Sequence, residues 1–329
     1  YWRNVMPVDA VRHANPEEIP VIDIADLLAG DQYARVSVSK DIVRAAEKTG
    51  FFYVVNHGVP RSLVNDLMRL ATSFFALDEV DKLKLGLANS ACFRGYLPLD
   101  STGSDPKLRR YLEAFQIGEE HKPEGSYESM MYGPNQWPEQ PEELRSVMSA
   151  YHREMDALAD QLQRAFALGI GFEEEFFLQF YKKPLNQLRL LHYPPQPEHQ
   201  DESVIGAQAH TDAASFTILL QDQKGGLEVE TPFGEWVGAT PLEGSFVVNI
   251  GDFLRNWTNG NFLSVKHRVI NNSHTDRYSV PYFLDPDLSA IVEPIEFFTS
   301  ADNPPRYEPV HVGKYLCERF NSIWPRKRS

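Results

Sequence analysis

Cysteine, positive charge and long apolar runs are all scarce in this chain. Only two cysteines, Cys92 and Cys317, occur among 329 residues, and neither belongs to a C-x-x-C pair, which argues against a disulfide framework. We therefore expect a reducing, cytoplasmic environment. No apolar run approaches the roughly 20 residues of a membrane span, and the first residues lack the basic-then-apolar pattern of a signal peptide.

Basic residues are outnumbered, with 32 Lys and Arg against 46 Asp and Glu and a formal net charge of -14. Binding to phosphate backbones or anionic lipid depends on clustered basic side chains. We therefore expect neither nucleic acid nor a membrane as a partner. The one basic run, Arg326-Lys327-Arg328, lies at the extreme C-terminus and is interpreted as a solvated tail.

The composition is that of a globular chain, with 42% hydrophobic and 12% aromatic residues. That content allows a large buried core, and neither a repeat nor a composition shift marks a domain boundary. We expect one domain over residues 1–329, as a monomer or weak homo-oligomer. A helix-rich part would extend to about residue 185, a β-rich core over about 186–290, and a C-terminal segment from about 291.

Helical patterns dominate the first half of the chain, with apolar residues recurring every three to four positions. The predicted helices cover residues 34–48, 63–74 and 141–166, the last starting at Pro141. Two short strands are predicted at 19–24 and 51–55. The apolar stripe of the longest helix is interpreted as scaffold that covers a sheet.

The second half changes to short β-type runs separated by turn residues. They cover residues 188–193, 216–220, 227–230, 246–250, 264–270 and 278–283, with a hairpin connection at 232–235. Closely spaced strands preceded by helices predict a mainly β fold with flanking helices. Its core would be a double-stranded β-helix, the cupin-like jelly roll.

A candidate metal site begins in the run Gln208-Ala209-His210-Thr211-Asp212. In an extended segment His210 and Asp212 lie on one face, about 7 Å apart along the chain. His267, on a later β-type run, supplies a third ligand. Two imidazoles and one carboxylate are typical of non-haem iron(II) sites with open coordination positions. Each motif alone is weak evidence for a metal site, and the interpretation depends on their occurring together.

Ten residues after His267, the sequence Arg277-Tyr278-Ser279 places an Arg and a Ser on one strand face. The two side chains can form a charge-assisted clamp on a carboxylate. If this clamp lies near the metal, a chelating keto acid would fit between them.

With these motifs in the same order, the chain resembles the isopenicillin N synthase-like family of 2-oxoglutarate- and iron(II)-dependent oxygenases. The resemblance covers nearly the whole length. The matching segments are residues 19–23, 50–59, 193–195, 210–212, 217–222, 225–227, 249–252, 267–269 and 277–279.

The resemblance implies that His210, Asp212 and His267 bind Fe(II), with 2-oxoglutarate and O2 as co-substrates. Arg277 and Ser279 would hold the distal carboxylate of 2-oxoglutarate, and Tyr193 would add a hydroxyl. The expected enzyme is a dioxygenase that hydroxylates, desaturates or cyclises a small molecule, in natural-product metabolism. One departure is Leu191, because many plant members have Asn at that position.

By analogy with the family, aromatic residues and one arginine would line the substrate pocket. These candidates are Phe93, Arg94, Tyr96, Phe115, Trp257 and Phe283. Arg94 is a candidate to engage an acid group, and a solvated arginine is the alternative. His57 is interpreted as a structural turn residue. His192, next to Tyr193 on its strand, is expected to point to the opposite face.

Two alternatives stay open. One is an iron(II) oxidase of the same fold that does not use 2-oxoglutarate, an alternative that Leu191 supports; succinate formation per turnover separates the two enzymes. The other is a non-catalytic jelly-roll binding protein, against which the complete triad argues, and which failure to bind iron(II) anaerobically would support.

Overall fold

A computed structural model of the chain describes residues 11–99, 111–195, 206–271 and 275–323. The predicted basic tail at 326–328 lies outside the described residues. The helices are α1 (Ala25–Ala29), α2 (Gln32–Lys48), α3 (Arg61–Phe75), α4 (Glu79–Lys84), α5 (Glu128–Met131), α6 (Leu144–Gly169), α7 (Asp252–Trp257) and α8 (Val312–Ile323).

Strands make up most of the second half, as the β-type runs predict. They are β1 (Val21–Asp23), β2 (Phe51–Val55), β3 (Gly95–Leu97), β4 (Glu113–Gly118), β5 (Gln187–Tyr193), β6 (Ala207–His210), β7 (Phe216–Gln221), β8 (Leu227–Glu230), β9 (Trp236–Gly238), β10 (Ser245–Ile250), β11 (His267–Val269), β12 (Arg277–Leu284), β13 (Ile291–Val292) and β14 (Val310–His311).

Two sheets form the core. The larger has eight strands in the order β1-β2-β10-β7-β12-β5-β4-β3, and the smaller has four in the order β6-β11-β8-β9. All pairs are antiparallel except β1 with β2. A cavity between the sheets is lined by side chains from both. The expected double-sheet jelly-roll core with flanking helices is confirmed.

The outer face of the larger sheet packs against the long helix α6. Phe166 of α6 lies 5.6 Å from Phe216, ring centre to ring centre, and the Tyr282 hydroxyl donates to Asp156 of α6 at 2.5 Å. The apolar stripe of α6 is therefore scaffold, as predicted. Among the described residues, no helix combines the length and apolar character that crossing a bilayer requires.

Several element boundaries differ from the predicted ones. Helix α6 begins at Leu144 and not at Pro141, because residues 141–143 form a turn in which the Leu144 amide donates to the Pro141 carbonyl at 3.1 Å. Helix α2 starts two residues early because the Asp31 side chain accepts from the Ala34 amide and caps it. Strands β1 and β11 are shorter than the predicted runs at 19–24 and 264–270.

Candidate metal centre

Neighbouring strands of the smaller sheet bring two histidines together. His210 ends β6 and His267 begins β11, the two residues are paired in register, and their rings lie 4.4 Å apart. Asp212 follows β6 by two residues. The Nε2 atom of each histidine lies 3.7 Å from Asp212 Oδ1, and the three potential ligand atoms all lie within 4.8 Å of one another.

Backbone carbonyls and neighbouring side chains fix the orientation of this trio. His210 Nδ1 interacts with the Gln208 carbonyl at 2.6 Å, and His267 Nδ1 with the Val265 carbonyl at 3.3 Å. Both Nε2 atoms are therefore presented to the centre. Such partners set the tautomer and ring angle of a metal-binding histidine.

Two further residues hold the carboxylate of Asp212. Thr217 Oγ1 and Asn249 Nδ2 donate to Asp212 Oδ2 at 2.6 and 2.9 Å, which leaves Oδ1 facing the imidazoles. Thr217 of β7 and Asn249 of β10 are paired across the sheet. Both lie in segments that match the family, but sequence reasoning gave them no role because the pairing of β7 with β10 was not known.

Asp212 is ionised in this setting. Its burial opposes the charged form, but the adjacent imidazoles of His267 and His210 and the two hydrogen bonds outweigh that effect and lower the pKa of Asp212 to about 2. One carboxylate oxygen and two imidazole nitrogens converging on one point fit a ferrous ion. The donor set of the chain therefore suits the metal that the motif predicts.

Arg277 lies in the same cavity, at the start of β12. It is 1% exposed, its Nη1 donates to Ser279 Oγ at 3.3 Å, and its guanidinium carbon lies 4.7 Å from the Tyr193 ring centre. Its Nη2 is buried and has no hydrogen-bond partner among the described residues. A buried cationic donor without an acceptor is costly, so the site fits the carboxylate of a bound co-substrate.

Strand alternation determines which side chains reach the cavity. Every second residue of β12, from Arg277 through Ser279 and Pro281 to Phe283, lines it. The same holds for Arg189, Leu191 and Tyr193 on β5. Leu191, the departure from the family pattern, is paired with Ser279 and gives the cavity an apolar wall there.

Of the six predicted substrate-pocket residues, the structure places Phe283 in the cavity. Phe115 and Tyr96 lie on the outer face of the larger sheet, where Phe115 packs 4.7 Å from Phe74 and Tyr96 donates to Glu113. Their strand neighbours face inward instead: Gly95, Leu97, Ala114 and Gln116 line the cavity. Alternation in β3 and β4 is the reason.

The remaining three candidates also lie outside the cavity lining. Arg94 is fully buried and donates to the Met131 carbonyl at 3.1 Å, and Phe93 packs edge-on against Phe320 at 5.3 Å. Trp257 lies 5.0 Å from Phe180 in an aromatic cluster behind the sheet. Arg94 does not line the cavity, so it is not placed to engage an acid group there.

The two histidines left out of the site are held elsewhere. His192 faces away from the cavity, as alternation predicts, and its ring nitrogens lie 2.7 Å from Glu113 and 2.7 Å from Asp276. His57 Nδ1 accepts from the Val59 amide at 3.2 Å, in its own turn.

A second trio with metal-ligand character occurs at Glu119, His152 and Asp156. His152 Nδ1 lies 3.0 Å from Asp156 and 3.6 Å from Glu119. Burial works against the imidazolium, but the Asp156 hydrogen bond outweighs it and raises the pKa of His152. The Tyr282 hydroxyl also donates to Asp156 at 2.5 Å, so this trio belongs to a polar cluster that connects α6 to the sheet.

Comparisons with known proteins agree with this geometry. Residues 19–140 match a family described as the N-terminal part of a non-haem dioxygenase in morphine synthesis, and residues 178–286 match the 2OG-Fe(II) oxygenase superfamily. A homoarginine-6-hydroxylase of Arabidopsis thaliana is 33% identical, over 90% of this chain and 84% of its own.

Two further similarities extend over most of the chain. Clavatol oxidase of Penicillium crustosum is 34% identical, over 84% of this chain and 88% of its own. A full-length Neurospora crassa protein, crystallised in complex with alpha-KG and thymine, superposes with a TM-score of 0.83, at 31% identity, over 94% of this chain and 99% of that one.

Proposed function

The chain belongs to the 2OG-Fe(II) oxygenase superfamily, and on that premise we propose that His210, Asp212 and His267 hold its ferrous ion. The protein is a 2-oxoglutarate- and Fe(II)-dependent dioxygenase of small molecules. The convergence of two Nε2 atoms on Asp212 Oδ1, each at 3.7 Å, is the observation that carries the ligand assignment.

We further propose that Arg277 and Ser279 receive the distal carboxylate of 2-oxoglutarate and that Tyr193 lies against it. Arg277 Nη2, which has no hydrogen-bond partner in the described part of the chain, supports this assignment. So does the position of Tyr193, which is paired with Arg277 across the strands and lies under its guanidinium. Charge-assisted hydrogen bonds to a carboxylate are stronger than neutral ones.

The residues of the chain orient the reactants and shield them from water. Bound ferrous iron with 2-oxoglutarate supplies the O2 activation that lets a hydrogen atom be removed from a substrate carbon. Thr217 and Asn249 hold Asp212 with one oxygen toward the metal position. For hydroxylation, substrate, O2 and 2-oxoglutarate give hydroxylated product, succinate and CO2, so the chain itself is unchanged.

We propose a role in natural-product metabolism, and the name of the clavatol oxidase relative supports it. The mostly apolar cavity lining, which includes Leu97, Leu191 and Leu219, suits a small organic substrate. A cytoplasmic location, in keeping with two cysteines that form no disulfide, and a monomeric or weakly associated state complete the proposal.

Succinate release tests the proposed chemistry. The purified protein with Fe(II) and 2-oxoglutarate is screened against fractionated metabolite extracts, and succinate and oxidised product are quantified together. We expect substrate-stimulated succinate in a 1:1 ratio to product, abolished by a chelator. Product formed without succinate would contradict the proposal and identify the alternative oxidase, for which the apolar Leu191 is the supporting feature.

A further inference from the structure

A second chamber, which we call the polar chamber, adjoins the metal centre on the side of helix α8. It is lined by Gln187 and Arg189 of β5, Phe283 and Asp285 at the end of β12, His210 with residues 212–214, and Leu316, Arg319, Phe320 and Ile323 of α8. It shares His210, Asp212, Arg189 and Phe283 with the main cavity. A substrate in the main cavity can therefore reach it.

The polar chamber is too far from Arg277 to belong to the co-substrate site. Tyr193, which pairs with Arg277, and Arg189 are four residues apart on β5, about 13 Å along an extended strand. Neither Arg277 nor Ser279 is among the described residues that line the chamber. A short diacid bound at Arg277 and the metal would not extend to Arg189.

The charge of the polar chamber favours an anion. Arg189 and Arg319 contribute two positive charges, and Asp285 contributes at most one negative charge. The remaining carboxylate, Asp212, belongs to the metal centre. Among the described residues, no carboxylate oxygen lies within 4.0 Å of an Arg319 nitrogen. With Asp212 assigned to the metal, the described residues that line the chamber carry a net positive charge even when Asp285 is ionised.

Both arginines are held in place by the protein. The Arg189 guanidinium carbon lies 4.7 Å from the Phe283 ring centre and 5.9 Å from that of Phe320. Arg319 Nη2 donates at 3.1 Å to the carbonyl of Thr211, the residue between two metal ligands. Helix α8 is thus tied to the metal loop. Planar guanidinium groups fixed in this way match the shape of a carboxylate.

We propose that Arg189, assisted by Arg319, determines substrate specificity by binding the carboxylate of a small organic acid whose apolar body occupies the main cavity. This inference rests on the proposed function, since it concerns the substrate of that same site. Sequence reasoning assigned acid binding to Arg94 and missed Arg189, because the segment of Arg189 has no motif that distinguishes it from other strand arginines.

Matched probes test the inference without knowledge of the natural substrate. Three carbon skeletons, phenylpropyl, phenylbutyl and hexyl, are each used as carboxylic acid, primary amide and amine. Binding to the anaerobic protein loaded with Fe(II) and 2-oxoglutarate is measured by calorimetry. We expect at least one skeleton to bind as the acid, about tenfold or more tighter than as the amide, with the amine weakest.

Substitutions of the two arginines test whether the preference for the acid over the amide comes from the polar chamber. Arg189→Gln should weaken acid binding about tenfold or more and remove the acid-over-amide preference, and Arg189→Lys should restore part of it. Arg319→Gln should have a smaller effect in the same direction. Arg69→Gln, on the exposed side of α3, is the control and should leave the preference unchanged.

The same titrations distinguish failure of the acid-binding inference from failure of the proposed function. Equal or tighter binding of amides or amines, no acid binding in any series, or an acid preference that survives Arg189→Gln would each overturn the inference. Affinity for 2-oxoglutarate, measured in the same samples, should be equal in wild type and Arg189→Gln. If the wild type binds no 2-oxoglutarate at all, the proposed function fails, whatever the acids do.

Discussion

The guanidinium of Arg277 is buried beside the metal ligands, with one nitrogen that no described residue accepts from. Folding a chain around an incompletely paired charge is unfavourable, so a bound anion that completes the pairing gains more there than it would on the surface. The position of Arg277 thus explains how a small co-substrate can be held strongly by few side chains.

Replacing Arg277 should chiefly weaken the binding of the co-substrate. Arg277→Ala removes the cation proposed to bind the distal carboxylate, so we expect the Kd of 2-oxoglutarate to rise by about 100-fold, with its apparent KM rising in parallel. Calorimetry on the anaerobic Fe(II) protein measures the Kd. Arg277→Lys should retain part of the affinity, which separates loss of charge from loss of fold.

The control for this experiment lies on the neighbouring sheet. Arg268 of β11 points outward, pairs with Glu228 at 2.7 Å and lies 4.2 Å over the Trp236 ring. Arg268→Ala should leave the Kd of 2-oxoglutarate within about twofold, because Arg268 is not among the residues that line the cavity. An Arg277→Ala protein with unchanged affinity would show that the clamp is misassigned.

Pairing of strands is what the sequence could not reveal. His210 and His267 are far apart in the chain but paired in register, and only the joint motif indicated that they meet. Strand β4 is buried along its whole length, so its residues show no polar alternation from which to assign Phe115 or Gln116 to a face. The helices with clear apolar stripes, such as α3 and α6, were predicted to within a few residues.

A buried ion-pair network joins the helices to the back of the sheet. Glu113 of β4 accepts from Lys82 of α4 at 2.8 Å and from Tyr96, and lies 2.7 Å from His192 of β5. Burial opposes ionisation of Glu113, but these hydrogen bonds outweigh it and lower its pKa. The network lies directly behind the strand pair that carries Tyr193 and Arg277.

Neutralising Glu113 should destabilise the fold. Glu113→Gln leaves Lys82 as an unpaired buried cation, so we expect the free energy of unfolding at pH 7 to fall by about 3–5 kcal/mol. Urea denaturation followed by circular dichroism measures it. Glu243→Gln, whose partner is Arg61 on the exposed surface, is the control and should change little.

The stability difference between wild type and Glu113→Gln should depend on pH, in a direction that the lowered pKa of Glu113 determines. A depressed pKa stabilises the fold above the unfolded value of about 4.3, and that stability is lost as pH falls through the folded pKa. The difference in free energy of unfolding between wild type and Glu113→Gln should therefore be largest near neutral pH and become smaller below about pH 4. A gap that is constant or grows on acidification would contradict this assignment.

Over the whole molecule, the two halves of the chain share one sheet. In the larger sheet, the N-terminal strands β1 and β2 lie at one edge, next to β10, and β3 and β4 lie at the other edge, next to β5. The N-terminal helices α2 and α6 pack together behind it, where the Arg35 of α2 pairs with Glu174 after α6. Such sharing supports the prediction of a single domain.

The shared sheet should unfold as one unit. We expect far-ultraviolet circular dichroism and tryptophan fluorescence to report coincident transitions in urea, because Trp137 and Trp257 lie in parts of the chain joined through the same sheet. Two separated transitions would show that the region before about residue 185 is an independent domain.

The central claim is that His210, Asp212 and His267 bind one ferrous ion, and an anaerobic Fe(II) titration in the presence of 2-oxoglutarate tests it most directly. The wild type and Asp66→Ala, a change on the exposed surface of α3, should bind one ion per chain. Asp212→Ala should keep its circular dichroism spectrum but lose iron binding and turnover. An Asp212→Ala protein that binds iron and turns over like the wild type would contradict the account.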